Sequence, residues 1–161
     1  CLSPTTVKRL QDTYHQKAMT LLNKFCPEKI NLYDYSEFHI VLTGANYKFP
    51  IHDDIPTKLL SGVVYLDPEI NKGTMFFDNI KGDGKKYIEW KKNRAIFFSR
   101  KEGETWHSYE GDGKSSRLTL VYNLMTKDIR RVCEIEEKNY FLSLIRFKLN
   151  PIFYRLFKKV F

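Results

Sequence analysis

The hydrophobic positions of this chain change period twice along its length. Near the start, Val7, Leu10, Tyr14, Ala18, Leu21, Leu22 and Phe25 recur every three or four residues, the spacing of one helix face. Ser3, Thr5 and Thr6 offer N-cap hydroxyls, and Pro27 supplies a stop. A helix is therefore expected over 5–25. The period then shortens. Stretches rich in β-branched and aromatic residues follow at 37–43, 47–52, 59–66, 74–78, 87–90, 95–99, 105–109 and 117–124. Turn-forming segments at 67–73, 79–86, 100–104 and 110–115 lie between them. Short strands at this spacing predict a mainly β fold with flanking helices, a sandwich or double-stranded β-helix (jelly roll). Helical spacing returns at the end, with a helix over 133–149, a break at Pro151 and a second, amphipathic piece over 151–161. The organisation predicted is a single domain over 1–161, with its jelly-roll core at about 37–125.

One local echo, Gly82-Asp83-Gly84-Lys85 and Gly111-Asp112-Gly113-Lys114, invites a calcium-loop reading. Such a loop needs carboxylates at alternate positions and a closing Glu. Neither copy has them, so both are expected to be hairpin turns.

Composition adds limits. A chain of 161 residues suits one domain with its own core. Hydrophobic content of 42% and aromatic content of 15% argue against disorder. No run approaches the roughly 20 apolar residues of a membrane span. The chain opens on Cys1 rather than Met, which leaves room for residues upstream, and shows no secretory pattern. Cys1, Cys26 and Cys133 lie far apart with no Cys-x-x-Cys pair. Reduced thiols and a cytoplasmic location are expected. The net charge of +8 widens the partners to nucleic acid, anionic membrane or acidic metabolites, without choosing among them. Between Leu142 and Phe161 there are five basic residues and no acidic one. That helix either covers a sheet face with its lysines in water or makes peripheral membrane contact through 151–161. Oligomeric state is not legible.

The candidate chemistry begins at Phe49-Pro50-Ile51-His52-Asp53-Asp54. In extended chain, residues i and i+2 share a face. His52 and Asp54 therefore point together, and Asp53 points away. A second histidine, His107, falls in a predicted strand 53 positions after Asp54. A jelly roll can bring it back to the first pair. Two imidazoles and one carboxylate on one side leave open coordination positions, the arrangement of non-haem Fe(II) oxygenases. Ten residues after His107, Arg117 opens a strand in which Arg117, Thr119, Val121 and Asn123 share one face. Bulk on both faces implies burial, so Arg117 is expected to meet an anionic partner. A guanidinium binds a carboxylate bidentately, and Thr119 can add a hydroxyl on the same face. His15 and His39 are expected to be structural or solvent-facing.

His-x-Asp, a distal His some fifty residues on, and Arg-x-Thr ten beyond that resemble the Fe(II)/2-oxoglutarate-dependent oxygenase superfamily. Leu60-Ser61-Gly62-Val63-Val64-Tyr65-Leu66-Asp67 and Gly73-Thr74-Met75-Phe76-Phe77 resemble its prolyl-4-hydroxylase-like branch. The resemblance covers about residues 37 to 125. It implies iron on His52, Asp54 and His107, 2-oxoglutarate on Arg117 with Thr119 and Tyr65, and dioxygen (O2) as second cosubstrate. It also admits ascorbate as a reductant. The implied reaction is C–H hydroxylation with release of succinate and CO2, and an intact Asp54 favours hydroxylation over halogenation. Two departures stand out: Gly73-Thr74 where a double Gly is common, and no Tyr about ten residues before His52. The alternative reading is a non-catalytic jelly-roll metal- or ligand-binding module, although the His-x-His pair typical of cupins is missing. Nucleic-acid demethylation is disfavoured, because Asn123 stands where that branch's second Arg would fall. The short chain favours a small metabolite or sugar slightly over a peptidyl proline as substrate.

Overall fold

The structure, a computed structural model, describes residues 2–157. Helix α1 spans Pro4–Phe25 and is capped by the Ser3 hydroxyl, which accepts from the Thr6 amide at 3.2 Å. A 3-10 helix, Pro27–Leu32, follows. The strands are β1 (Tyr35–Thr43), β2 (Lys48–His52), β3 (Lys58–Asp67), β4 (Thr74–Phe77), β5 (Lys86–Ile88), β6 (Ala95–Ser99), β7 (Trp106–Glu110) and β8 (Arg117–Met125). Helices α2 (Ile129–Ile135) and α3 (Tyr140–Phe157) close the described chain. The strands form two four-stranded antiparallel sheets, ordered β1-β8-β3-β6 and β2-β7-β4-β5. The fold is the expected one, a mainly β jelly roll with flanking helices.

Strand alternation in β8 divides the molecule. Tyr122 and Leu124 face the helices, where they join Ala18, Leu22, Leu59, Leu60 and Val132 in the main apolar cluster. Phe38 stacks on Tyr122 with ring centroids 4.4 Å apart. Burying these side chains contributes roughly 1.5–3 kcal/mol each. The other face of β8 carries Arg117, Thr119, Val121 and Asn123, which all line a cavity. Apolar burial on one side thus holds in place a strand whose other side is polar.

Two local expectations need correction. The C-terminal helix does not run over 133–149 and break at Pro151. It starts earlier, at Ile129, because the Asp128 carboxylate caps it by accepting from the Arg131 amide at 3.0 Å. It stops at Ile135, and the left-handed Glu137 (φ 56°) turns the chain. Asn139 then caps α3 by accepting from the Leu142 amide. Helix α3 continues through Pro151, although proline removes a backbone bond and crowds the carbonyl four residues back. A contact beyond the proline favours the continuation: Tyr154 packs on Phe49 at 5.5 Å and hydrogen-bonds the Tyr47 hydroxyl at 3.1 Å. The rest of the amphipathic piece, 158–161, lies outside the described residues.

The second correction concerns 111–115. This segment is not a hairpin turn, because β7 and β8 belong to different sheets. It is a crossover between them, tied down where Gly111 and Gly113 donate to the Tyr47 and Ala45 carbonyls. The 79–86 segment does close a hairpin, between β4 and β5.

Candidate metal centre

His52 ends β2 and lies opposite His107 of β7 in the strand register. Their ring centroids are 4.2 Å apart. Asp54 follows just past the strand, and one ligand atom from each of His52, Asp54 and His107 lies within 4.8 Å of the others. Asp53 turns the other way, pairing with Arg146 at 3.0 Å and accepting from the Gly103 amide at 2.9 Å. Parity thus separates the two aspartates as expected.

The histidines are oriented by backbone. His52 Nδ1 lies 3.0 Å from the Pro50 carbonyl, and His107 Nδ1 lies 2.9 Å from that of Thr105. A carbonyl only accepts, so each Nδ1 carries the proton and each Nε2 keeps the lone pair a metal needs. Burial, aided by the neighbouring His107, pushes His52 down to about 3, so its ring is neutral across the ordinary pH range. Burial alone would raise the Asp54 carboxyl. The Lys58 ammonium, with His107 and His52, outweighs it and holds Asp54 below the usual carboxylate range.

Asp54 is held from three directions. Lys58 Nζ donates to Oδ1 at 2.6 Å, Ser61 Oγ donates to Oδ2 at 2.5 Å, and Arg100 Nε donates to its backbone carbonyl at 3.1 Å. None of these three was nominated from sequence. Lys58 and Ser61 lie four and seven residues downstream, a spacing that carries meaning only once β3 is known to fold back beside Asp54.

Arg117 is 3% exposed and faces the cavity between the sheets, about 820 Å³ measured out to its mouth. The triad and Thr119 line the same cavity. Among the described residues no carboxylate pairs with Arg117, and its Nε and Nη1 have no hydrogen-bond partner. Instead its guanidinium lies 4.6 Å from the ring centre of Tyr109, 5.0 Å from Trp90 and 5.8 Å from Tyr65. Aromatic faces stabilise the cation but leave its N–H groups unsatisfied. Burial draws Arg117 below its ordinary pKa, opposed by Tyr65 and Tyr109.

Tyr65 sits one layer behind the cavity wall, bonded to Thr74, which lines it. Its hydroxyl donates to Thr74 Oγ1 at 2.8 Å and accepts from the Thr74 amide at 2.9 Å. Its ring stacks on Trp90 at 4.3 Å. Tyr65 belongs to β3 beside Thr119, with its hydroxyl turned to Thr74 of the facing sheet. It supports Arg117 from behind. Tyr109, which does line the cavity, was missed; its place in the strand of His107, two residues on, was the available signal.

A second cleft, about 710 Å³ and open to solvent, borders His52 and Asp54 but not His107. Phe49, His52 and Asp54 border both spaces. Ile55, Pro56 and Phe147 add apolar walls, with Arg146 and Asn150 contributed by α3.

No family model matches the sequence, and neither does any curated protein. Among solved structures, the chain is similar to a prolyl-4-hydroxylase of Pseudomonas putida, at TM-score 0.53 and 17% identity. That likeness covers 70% of this chain and 62% of the hydroxylase, so less than two thirds of that protein has a counterpart here. The chain is also similar to a cupin domain of Bordetella pertussis Tohama I, at TM-score 0.41 and 6% identity, over 58% of this chain and 84% of that one. A recombinant oxalate oxidase matches at TM-score 0.43 and 11% identity, over 56% and 42%. At such identities the hydroxylase likeness supports the jelly-roll fold alone.

Proposed function

We propose that the chain is an Fe(II)- and 2-oxoglutarate-dependent oxygenase that hydroxylates a C–H bond of a small molecule. The observation that carries this reading is Arg117. A buried guanidinium with two unpartnered N–H groups costs free energy unless an anion arrives. The cavity it faces is also lined by His52, Asp54 and His107. A molecule with a carboxylate at one end and metal-binding oxygens at the other satisfies both sets of groups, and 2-oxoglutarate is such a molecule.

The residues fit the implied metal. Two neutral imidazoles with fixed tautomers and one ionised carboxylate form the donor set preferred by non-haem iron in oxygenases. His52, Asp54 and His107 hold the ion, and Ser61 and Lys58 keep the carboxylate in place. Iron, when bound, supplies the oxidising power that no side chain here has. Arg117 binds the distal carboxylate of 2-oxoglutarate, with the Thr119 hydroxyl beside it, and Tyr65, Trp90 and Tyr109 fix the guanidinium. The apolar walls of Phe49, Val63 and Phe98 exclude water from the space between. The second cleft, which shares Phe49, His52 and Asp54 with the first, takes the substrate. Its apolar walls and modest volume suit a small molecule better than a peptide. Succinate and CO2 are the coproducts.

Purified protein supplied with Fe(II), 2-oxoglutarate and O2 is expected to form succinate, and His52→Ala to form none. The reading is wrong if Fe(II)-loaded protein fails to bind 2-oxoglutarate in anaerobic calorimetry.

A further inference from the structure

Helix α3 has two faces of different character. Ser143, Arg146, Phe147, Asn150 and Tyr154 face the body. Ser143 donates to Glu102 at 2.8 Å, Arg146 lies over Trp106 at 5.2 Å, and Tyr154 packs on Phe49. The opposite face is a stripe of Leu142 (66% exposed), Ile145 (53%), Leu149 (36%), Ile152 (53%) and Leu156 (66%). Their spacing of three and four keeps them in line along the helix. A contiguous apolar stripe this long is unusual on a surface that stays in water.

Charge indicates what covers it. From Tyr140 to Phe157 there is no acidic residue, and the sequence continues with Lys158 and Lys159. The exposed Lys148 and Arg155 border the stripe on one side. A second copy of the chain would bring these cations face to face, with no acid on the helix to pair them. An anionic lipid surface takes both features, the stripe entering the acyl boundary and the cations meeting headgroup phosphates. No helix among the described residues is long and apolar enough to cross a membrane, so the geometry is that of a helix lying on the surface.

We propose that the outer face of α3 docks this protein on an anionic lipid surface. The body-facing side keeps its contacts, and the cleft beside the triad, which α3 walls, is carried to the membrane.

The test is flotation of the full chain with two vesicle preparations. One is phosphatidylcholine alone; the other adds phosphatidylglycerol at about a 7:3 ratio. Wild type is expected to float with the anionic vesicles at least about tenfold more than with the neutral ones, and to be released by high salt. Ile145→Gln with Ile152→Gln should abolish flotation, and Lys148→Glu with Arg155→Glu should weaken it. All four positions are exposed, so circular dichroism and melting should be unchanged. Absence of wild-type flotation overturns the proposal. So does equal flotation on both vesicles, or flotation that survives both variant pairs. A dimer in analytical ultracentrifugation that the Ile145→Gln, Ile152→Gln pair disperses, without flotation, would assign the stripe to a second copy instead.

Discussion

Two buried arginines, Arg100 and Arg117, are among the least exposed side chains of this protein, and they live in opposite ways. Arg100 is 1% exposed and fully engaged. It donates to Glu136 at 2.6 Å, to Glu102 at 3.0 Å and to the Asp54 carbonyl at 3.1 Å. Around it Lys29 pairs with Glu136, and Arg146 pairs with Glu102 and Asp53. Three cations thus meet three carboxylates, and the group closes on itself. Arg117 is 3% exposed and has no anion among the described residues. Aromatic rings hold it by their faces while its N–H groups stay open. On the function proposed above, the difference separates structure from function: a satisfied buried charge fixes the fold, and an unsatisfied one awaits a ligand.

The largest expected effect breaks the closed side. Glu136→Gln leaves Arg100 and Lys29 short of their anion, and removing one partner of a buried pair costs about 3–5 kcal/mol. Urea unfolding should show that loss. Metal binding should weaken too, because Arg100 holds the backbone of Asp54.

The complementary substitution is Arg117→Met. It removes a cation that is unpaired in the cavity, so stability should change by less than about 1 kcal/mol. Binding of 2-oxoglutarate should weaken by about 2–5 kcal/mol, the cost of losing one partner of a desolvated charge pair. Calorimetry on the metal-loaded variant reads this directly. A large loss of stability in Arg117→Met would erase the contrast between the two arginines.

A smaller effect is expected at the point where the two regions meet. Ser61→Ala deletes the 2.5 Å bond to Asp54 while leaving Lys58 and Arg100 in place. Losing one such supporting bond should weaken metal binding about tenfold, with little change in unfolding midpoint.

The open side was largely legible from sequence, and the closed side was not. The strands stood out because alternation along β8 writes its two faces into the chain. His52 and Asp54 stood out because parity selects one aspartate of two. His107 and Arg117 followed from a fold that returns distant strands to one place. The ion group has no such signal. Lys29 and Glu136 are 107 residues apart, and each reads locally as an ordinary solvated charge. Their pairing exists only because the 3-10 helix, the end of β6 and α2 converge. Tyr65 lies on the face that alternation gives it, with Ser61 and Val63, but the bond of its hydroxyl to Thr74 of the facing sheet is a contact that no local pattern encodes. The path of α3 through Pro151 depends on Tyr154 finding Phe49 and Tyr47, a contact no local pattern encodes.

Acid tests how dry the open side is. His52 is held down to about 3 by burial and by His107, whereas an unfolded chain returns it to about 6.5. Between these values the unfolded state binds the proton and the folded state does not. Stability from this residue is therefore complete above about pH 6.5, declines as the pH falls, and is gone below about 3. The slope contributed approaches one proton, about 1.4 kcal/mol per pH unit at most. His52→Gln removes it. Metal-free wild type and variant, compared by urea unfolding from pH 7 to 4, should converge as the pH drops if the wild type begins more stable, or diverge if it begins less stable. Asp54 loses its contribution only at lower pH, because its carboxyl is held below the usual range. Parallel curves through this window would mean that water reaches His52 freely, and an Arg117 in the same wet cavity would need no anion to explain it.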